Sequence, residues 1–257
     1  MNASRAHVPA TAIHFEVHGA GVPLFLGFPI MASHAEIFGE VGAAVLRGYL
    51  DRLTDRYRVL LVDYPSIGKS PSIPAAELTA DRVCADLLDV ADAAGFDRFA
   101  WWGYSWGGAV GLQLASRTDR LSALVCGGWP PLGAQYAELL RISREAAPNP
   151  PASSMAVLRD PSQYAQWVAF YESIREWPEA KAIARFACPR MAFAGSNGDP
   201  TAGHEVPIKI ATTIRERRAE LETMGWWVRE IPGRDHSVCL DPATVVPVVR
   251  EFLDSVL

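Results

Sequence analysis

The segment Gly103-Tyr-Ser-Trp-Gly107 constrains the fold of this chain more than any other feature. It follows an apolar run that starts at Phe99 and precedes a helix-like run over 109–115. Glycine two residues before and after a serine, between a strand and a helix, is typical of a sharp turn in which the chain passes close to itself. Such a turn presents Ser105 beside a helix N-terminus, which favours developing negative charge. A glycine-rich turn that only packs a helix on a sheet is the alternative interpretation.

Strand-like and helix-like segments alternate along the 257 residues. The strand patterns are Ala12–Val17, Pro23–Phe28, Arg58–Tyr64, Phe99–Tyr104, Leu121–Cys126, Pro189–Gly195 and Trp226–Ile231. The helix patterns are Glu36–Thr54, Thr79–Ala94, Glu205–Met224 and Pro242–Leu257. The first two strands are predicted to be joined by a turn at Gly19-Ala-Gly21. This alternation predicts an α/β fold, a mostly parallel sheet with helices on both faces.

Residues 129–187 interrupt the alternation with two proline clusters and aromatic residues at helical spacing. We expect a helical lid inserted into a core formed by residues 1–128 and 188–257. Trp129, Trp167 and Tyr171 are candidate substrate-binding residues in this segment. An aromatic stripe at helical spacing also fits the core of a lid, so both interpretations stay open.

A serine hydroxyl needs a base to act as a nucleophile. The six histidines are His7, His14, His18, His34, His204 and His236. Only His236 lies in a turn directly after the last predicted strand, where an open sheet carries its site. His236 is therefore the predicted base. His34 follows the loop after the second strand and is a candidate substrate contact.

The base in turn needs a carboxylate that fixes its tautomer. Asp199 follows a predicted strand and is the candidate, although an Asp-Pro turn is the alternative interpretation. Asp235 is adjacent to His236, and neighbouring side chains usually point apart. The segment after Cys126 contains no acid. The chain order Ser105, Asp199, His236 is the order expected on this kind of sheet.

A tetrahedral intermediate also needs two hydrogen-bond donors for its oxyanion. The backbone N–H of Trp106, next to the nucleophile, is one candidate. The other is the backbone N–H of Phe28, in the loop after the second strand, because Pro29 has none to donate.

Together these segments resemble the α/β-hydrolase fold of the serine-nucleophile type over nearly the whole chain. The similarity rests on Leu24–Pro29, Val62–Ser70, Gly103–Gly108, Gly195–Asp199 and Gly233–His236. The chain departs from the family pattern at Ser66, where a structural loop usually has glycine, and at Leu26, where the oxyanion segment usually has histidine. A serine at position 105 excludes the relatives with a nucleophilic aspartate, so dehalogenase and epoxide hydrolase activities are not expected.

The resemblance implies hydrolysis of a small to medium, mostly apolar ester, thioester or lactone through an acyl-enzyme. Three alternatives within the fold remain at this point: cleavage of carbon–carbon bonds, cofactor-free oxygenation of aromatic heterocycles, and binding of a signalling ligand with little turnover. No metal and no organic cofactor is expected in any of them.

Composition narrows the partners to a small-molecule substrate. The formal net charge is −5 and no long basic block is present, which argues against nucleic acid. The N-terminus lacks an apolar signal-like run, and the most apolar stretch, Val22–Ala32, is broken by prolines, so no membrane span is expected. The four cysteines show no C-x-x-C spacing, which favours free thiols and a cytoplasmic location. The sequence carries no signal for an oligomeric state.

Overall fold

A computed structural model describes residues 12–201 and 207–257. His7, His204 and the predicted helix start at Glu205 lie outside the described residues. The strands are β1 Phe15–His18, β2 Val22–Leu26, β3 Tyr57–Val62, β4 Phe99–Tyr104, β5 Leu121–Gly127, β6 Arg190–Asn197 and β7 Trp226–Asp235. The helices are α1 His34–Leu53, α2 Ala80–Ala93, α3 Trp106–Ala115, α4 Tyr136–Ala146, α5 Ala152–Met155, α6 Ala165–Ser173, α7 Glu179–Ile183, α8 Ala211–Glu216, α9 Arg218–Thr223 and α10 Pro242–Val256.

The seven strands form a single sheet in the order β1-β3-β2-β4-β5-β6-β7. β1 is antiparallel to β3, and the other neighbouring strands are parallel. The predicted α/β fold with a mostly parallel sheet is therefore confirmed. The chain does turn between β1 and β2, but the two strands are not neighbours, because β3 lies between them. A Cβ on Gly21 would lie 2.2 Å from the carbonyl oxygen of Arg56, so this connection passes tightly over the start of β3.

Helices cover both faces of the sheet, and the sheet separates two apolar layers. One layer contains the buried faces of α2 and α3, and the other contains those of α1 and α10. β4 runs through the centre with every residue buried. Its neighbours Trp101 and Trp102 belong to opposite layers, as the two-residue period of a strand requires. The carboxyl ends of the parallel strands consequently meet at one edge, where the loops that carry the candidate residues begin.

Residues 129–187 contain α4, α5, α6 and α7 and connect β5 to β6. The two ends of this helical insertion are tied together by Glu179 on α7. Its carboxylate accepts hydrogen bonds from the backbone N–H groups of Gly133 (2.5 Å) and Ala134 (3.3 Å), in the turn after β5. Burial raises the pKa of Glu179, and these backbone donors partly oppose that shift.

The loop after β3 forms a tight turn even though serine replaces the glycine of the family pattern. Ser66 adopts a left-handed backbone with φ 67° and is fully buried. Its hydroxyl oxygen accepts a hydrogen bond from the Ile73 N–H (3.2 Å), which supports the strained position.

Within the described ranges, no helix is both long and apolar enough to cross a membrane. The four cysteines are free thiols, and three of them are buried.

Candidate active site

Ser105 occupies the sharp turn between β4 and α3, with a strained backbone of φ 52° and ψ −124°. The flanking glycines are required sterically. A Cβ on Gly103 would lie 1.9 Å from the carbonyl oxygen of Gly107, and a Cβ on Gly107 would lie 2.7 Å from the backbone nitrogen of Phe28. The spacing of the motif therefore reflects two close backbone approaches, one within the turn and one to the loop after β2.

The structure brings Ser105 and His236 together from positions 131 residues apart. The Nε2 atom of His236 lies 3.0 Å from the Oγ atom of Ser105. His236 directly follows β7 and begins a short 3-10 helix over 236–240. This geometry allows the serine hydroxyl to donate its hydrogen bond to a neutral imidazole, the arrangement a base requires.

Hydrogen bonds to three side chains hold the backbone around His236. The Tyr104 hydroxyl donates to the carbonyl of His236 (2.9 Å), and the Tyr49 hydroxyl donates to the carbonyl of Cys239 (2.7 Å). The Asp235 carboxylate accepts from the backbone N–H of Ser237 (2.8 Å) and caps the short helix. The imidazole is thus placed by a rigid support rather than by a free loop.

Burial lowers the pKa of His236 to about 4, and the Asp235 and Asp199 carboxylates partly oppose this shift. The neutral imidazole is therefore the form that the folded protein favours at neutral pH. With Nε2 accepting from Ser105, the proton belongs on Nδ1. That atom is buried and has no hydrogen-bond partner among the described residues.

Asp199 lies on the wall of the same cavity as Ser105 and His236. Its carboxylate accepts hydrogen bonds from the backbone N–H (3.1 Å) and the hydroxyl (2.5 Å) of Thr212, in the first turn of α8. It makes no hydrogen bond to His236 in this structure. No pattern in the sequence points to Thr212 as a neighbour of Asp199, because the two residues meet only when α8 packs beside β6.

The position after β5 has no room for an alternative acid. A Cβ on Gly128 would lie 2.6 Å from the Tyr104 ring and 3.0 Å from the Cε1 atom of His236. Gly128 also has a left-handed φ of 57°, which disfavours any other residue. The two carboxylates that oppose the lowering of the His236 pKa are instead Asp235 and Asp199.

The two predicted oxyanion donors come from adjacent segments. Trp106 is the first residue of α3, and the close approach at Gly107 puts the Phe28 nitrogen against the first turn of that helix. The buried hydroxyl of Tyr64 lies beside the Phe28 N–H; burial raises the pKa of Tyr64, and this N–H partly opposes the shift. Both candidate donors thus lie next to the turn that carries Ser105.

A cavity of about 880 Å³ opens beside Ser105. Part of the lining comes from α1, through His34 and Phe38 before a break in the helix and Val41 and Val45 after it. Gly39 interrupts this helix with φ 60° and ψ −143°. The exposed large apolar side chains in the described ranges are Phe38, Val41 and Leu240, and all three border the cavity.

Another part of the lining comes from the inserted segment, through Ser153, Ser154, Val157 and Trp167. Trp167 is half-buried, and its ring packs edge-on against Tyr164 at a centroid distance of 5.1 Å. The sequence-based assignments of His34 and Trp167 to the cavity therefore agree with their positions.

Trp129 and Tyr171 are placed differently from the sequence-based expectation. They are not among the described residues that line the cavity. Both are buried, and their rings stack at 6.4 Å with an angle of 11° between planes. These two residues form part of the core of the inserted segment, because α6 turns the Tyr171 side of its aromatic stripe inward.

No cluster of three or more histidine, cysteine, aspartate or glutamate side chains suited to a metal ion occurs within residues 12–201 and 207–257.

Comparisons with known proteins agree with this architecture. Residues 42–202 match the family model described as alpha/beta hydrolase fold. A relative from Stutzerimonas stutzeri named "Putative carbamate hydrolase RutD" is 28% identical over 180 residues, covering 68% of this chain and 65% of the relative, just under two thirds of its length. A thermophilic esterase from Thermogutta terrifontis has a similar structure, with a TM-score of 0.70, 20% identity and coverage of 95% of this chain and 93% of the esterase. The enol-lactonase from Burkholderia xenovorans LB400 has a TM-score of 0.68 at 17% identity, with coverage of 94% and 96%.

Proposed function

The chain belongs to the α/β-hydrolase family, and we propose that it is a serine hydrolase of a small to medium, mostly apolar ester, thioester or lactone. The observation that carries the proposal is the 3.0 Å contact between His236 Nε2 and Ser105 Oγ on a strained turn. Related proteins that bear esterase, lactonase and carbamate hydrolase names support the reaction class.

In the proposed mechanism, Ser105 attacks the substrate carbonyl while its proton passes to Nε2 of His236. The N–H groups of Trp106 and Phe28 stabilise the oxyanion of the tetrahedral intermediate. His236 then donates the proton to the leaving group, and an acyl-enzyme forms. A water molecule that gives its proton to His236 attacks this ester in the second half of the reaction and regenerates Ser105.

We propose that Asp199 is the carboxylate that acts on the Nδ1 side of His236. Its position on the cavity wall and its influence on the His236 pKa support this role. In this role Thr212 supports the carboxylate from the side of α8, and the proposal requires the Asp199 side chain to move so that one oxygen accepts from Nδ1. Asp235 instead caps the short helix that carries the base.

We propose that residues 129–187 act as a lid over the core of residues 1–128 and 188–257. The support is that Ser153, Ser154, Val157 and Trp167 from this segment line the same cavity as Ser105 and His236 of the core. A wall of this kind excludes water from the acyl-enzyme and shapes the substrate pocket. Changes in the lid should then alter substrate preference more than they alter the rates of the chemical steps.

The decisive experiment is replacement of the nucleophile. Ser105→Ala is expected to abolish labelling by a fluorophosphonate probe and to reduce turnover of p-nitrophenyl esters on the order of 10⁴-fold or more. The substrate panel should include esters of graded chain length, lactones and carbamates. Ser122→Ala is a matched serine control, because Ser122 lies at the N-terminal end of β5, away from the sheet edge that carries Ser105. Full activity in Ser105→Ala would overturn the proposal.

The position of the serine also bears on the cofactor-free oxygenase alternative. That chemistry depends on the histidine–aspartate pair more than on the serine, whereas here the Nε2 atom of His236 lies 3.0 Å from the Oγ atom of Ser105. A base that contacts the serine favours hydrolysis. Oxygen consumption that persists in Ser105→Ala would favour the oxygenase instead.

A further inference from the structure

His34 is a nearly enclosed polar side chain on an otherwise apolar wall of the cavity. It begins α1, is 4% exposed, and packs against Phe38 at a ring-centroid distance of 4.8 Å, with the ring planes tilted by 55°. Its Nδ1 atom is buried without a hydrogen-bond partner in the part of the chain that the structure describes. An N–H at Nδ1 would be buried and unsatisfied, which favours the tautomer with the proton on Nε2. Because His34 lines the cavity, this tautomer supplies a donor at Nε2.

The backbone beneath His34 is fixed to the core of the protein. Ser33 donates two hydrogen bonds to the fully buried Asp63 carboxylate, from its backbone N–H (3.0 Å) and from its hydroxyl (2.5 Å). The His34 N–H donates to the carbonyl of Met31 (3.0 Å). A ligand that meets the imidazole therefore meets a group whose position is set in advance, which lowers the entropic cost of binding.

The charge of the surrounding wall limits what this imidazole can bind. None of the described residues that line the cavity is lysine or arginine. The same lining contains two carboxylates, those of Asp199 and Asp235. Burial lowers the pKa of His34, so the ring is neutral at neutral pH. A substrate carboxylate or phosphate would meet negative charge and no cation, whereas a neutral oxygen would meet a suitable donor.

We propose that His34 binds a neutral oxygen acceptor of the substrate, such as an ether, ring or carbonyl oxygen, at a distance from the bond that is cleaved. The donor is Nε2–H, because Nδ1 is enclosed in the wall where a proton would find no acceptor. This inference rests on the proposed hydrolase function. It narrows the substrate class to uncharged, mostly apolar esters or lactones with a second oxygen function.

The test compares pairs of p-nitrophenyl esters with equal chain length, in which an ether oxygen replaces one methylene at successive positions. For each pair, the ratio of kcat/KM with oxygen to kcat/KM without it is measured in the wild type, His34→Phe and His34→Gln. At one chain position we expect this ratio to fall about tenfold in His34→Phe, mainly through KM, because one hydrogen bond is lost. His34→Gln retains an N–H donor and should keep part of the ratio.

Comparing ratios between variants cancels the effect of the ether oxygen on carbonyl reactivity. His18→Phe, on β1 at the far edge of the sheet, is the matched control. Ratios that are the same in the wild type and in both His34 variants at every position would overturn the role of His34 while leaving the hydrolase proposal intact. Absence of both ester turnover and fluorophosphonate labelling in the wild type would overturn both. If His34→Phe does not fold, the donor-free variant His34→Leu replaces it, and an unchanged ratio in His34→Leu at every chain position would overturn the role of His34.

Discussion

The pH dependence of activity tests how strongly the fold controls His236. A general base must be neutral to accept the serine proton, so kcat/KM should fall as the imidazole of the free enzyme becomes protonated. An ordinary histidine has a pKa of about 6.5. Burial lowers the pKa of His236 to about 4, against the smaller opposing effects of Asp235 and Asp199. We therefore expect the acidic limb well below the pH at which an unperturbed imidazole titrates.

The size of the effect follows from the two pKa values. At pH 5, an imidazole with a pKa of about 4 is about 90% neutral, and one with a pKa of about 6.5 is about 3% neutral. The two cases differ about 30-fold in the active form. We expect kcat/KM at pH 5 to remain close to its plateau, whereas an unperturbed imidazole would give a limb at about pH 6.5.

The assay measures initial rates for one uncharged p-nitrophenyl ester across the acidic range, with samples quenched into alkaline buffer to develop the colour. Enzyme held at each pH and returned to neutral pH must recover its activity, so that unfolding is separated from titration. A limb centred near pH 6.5 would refute the argument from burial. It would instead indicate that Asp199 already engages Nδ1 in the free enzyme and raises the pKa, whereas a limb near pH 4 is expected while Asp199 is bonded to Thr212.

The lowered pKa of His236 also makes the stability of the folded protein depend on pH. The pKa of His236 is lower in the folded protein than in the unfolded chain, so the unfolded chain binds more protons between these two values. The free energy of unfolding is therefore highest above about pH 6.5 and decreases as the pH falls towards about 4. A shift of this size corresponds to ~3 kcal/mol at most. Urea unfolding of His236→Phe should show a correspondingly weaker loss of stability over this range than the wild type. Equal pH dependence in the two proteins would contradict the assignment.

Three further predictions address the remaining parts of the site. Asp199→Asn should lower kcat/KM on the order of 10⁴-fold with the melting temperature retained, whereas Asp235→Asn, which keeps a capping side chain, should cost less than about tenfold; the reverse order would refute the choice of Asp199. Trp167→Ala should change the chain-length preference across the ester panel, while Trp129→Ala should leave that preference unchanged and lower stability by ~3–5 kcal/mol in chemical denaturation. Gly107→Ala should lower kcat about 10²- to 10³-fold with a smaller change in KM, because its Cβ would displace the Phe28 N–H, and steady-state kinetics with an unchanged kcat would exclude that oxyanion role.

Local patterns in the sequence predicted the elements that depend on local conformation. The helix from Thr79 to Ala94 is observed as Ala80–Ala93, with the Thr79 side chain accepting from the Arg82 N–H and Gly95 at a φ of 69° after its end. Helical spacing, capping residues and glycine turns act within a few residues, so they can be read directly from the chain. The sharp turn around Ser105 could be predicted for the same reason, because the glycines that it requires lie within two residues of the serine.

Contacts between distant segments came only from the tertiary structure. β3 lies between β1 and β2, although the sequence indicates only that all three are strands. Trp129 and Tyr171 stack within the inserted segment, and only Trp167 of the three predicted aromatic residues reaches the cavity. A hydrophobic pattern identifies which side of an element is buried, but it does not identify the surface that covers it.

For the site, the sequence predicts the types of group and their order along the chain: a serine on a strained turn, then Asp199, then a histidine after the last strand. Their environments depend on the tertiary structure. In it, His236 lies 3.0 Å from Ser105 and is buried enough to lower its pKa, the Asp199 carboxylate accepts hydrogen bonds from Thr212, and His34 on α1 lines the cavity. Distances, burial and pKa depend on how separate elements pack in space, and no local pattern along the chain encodes them.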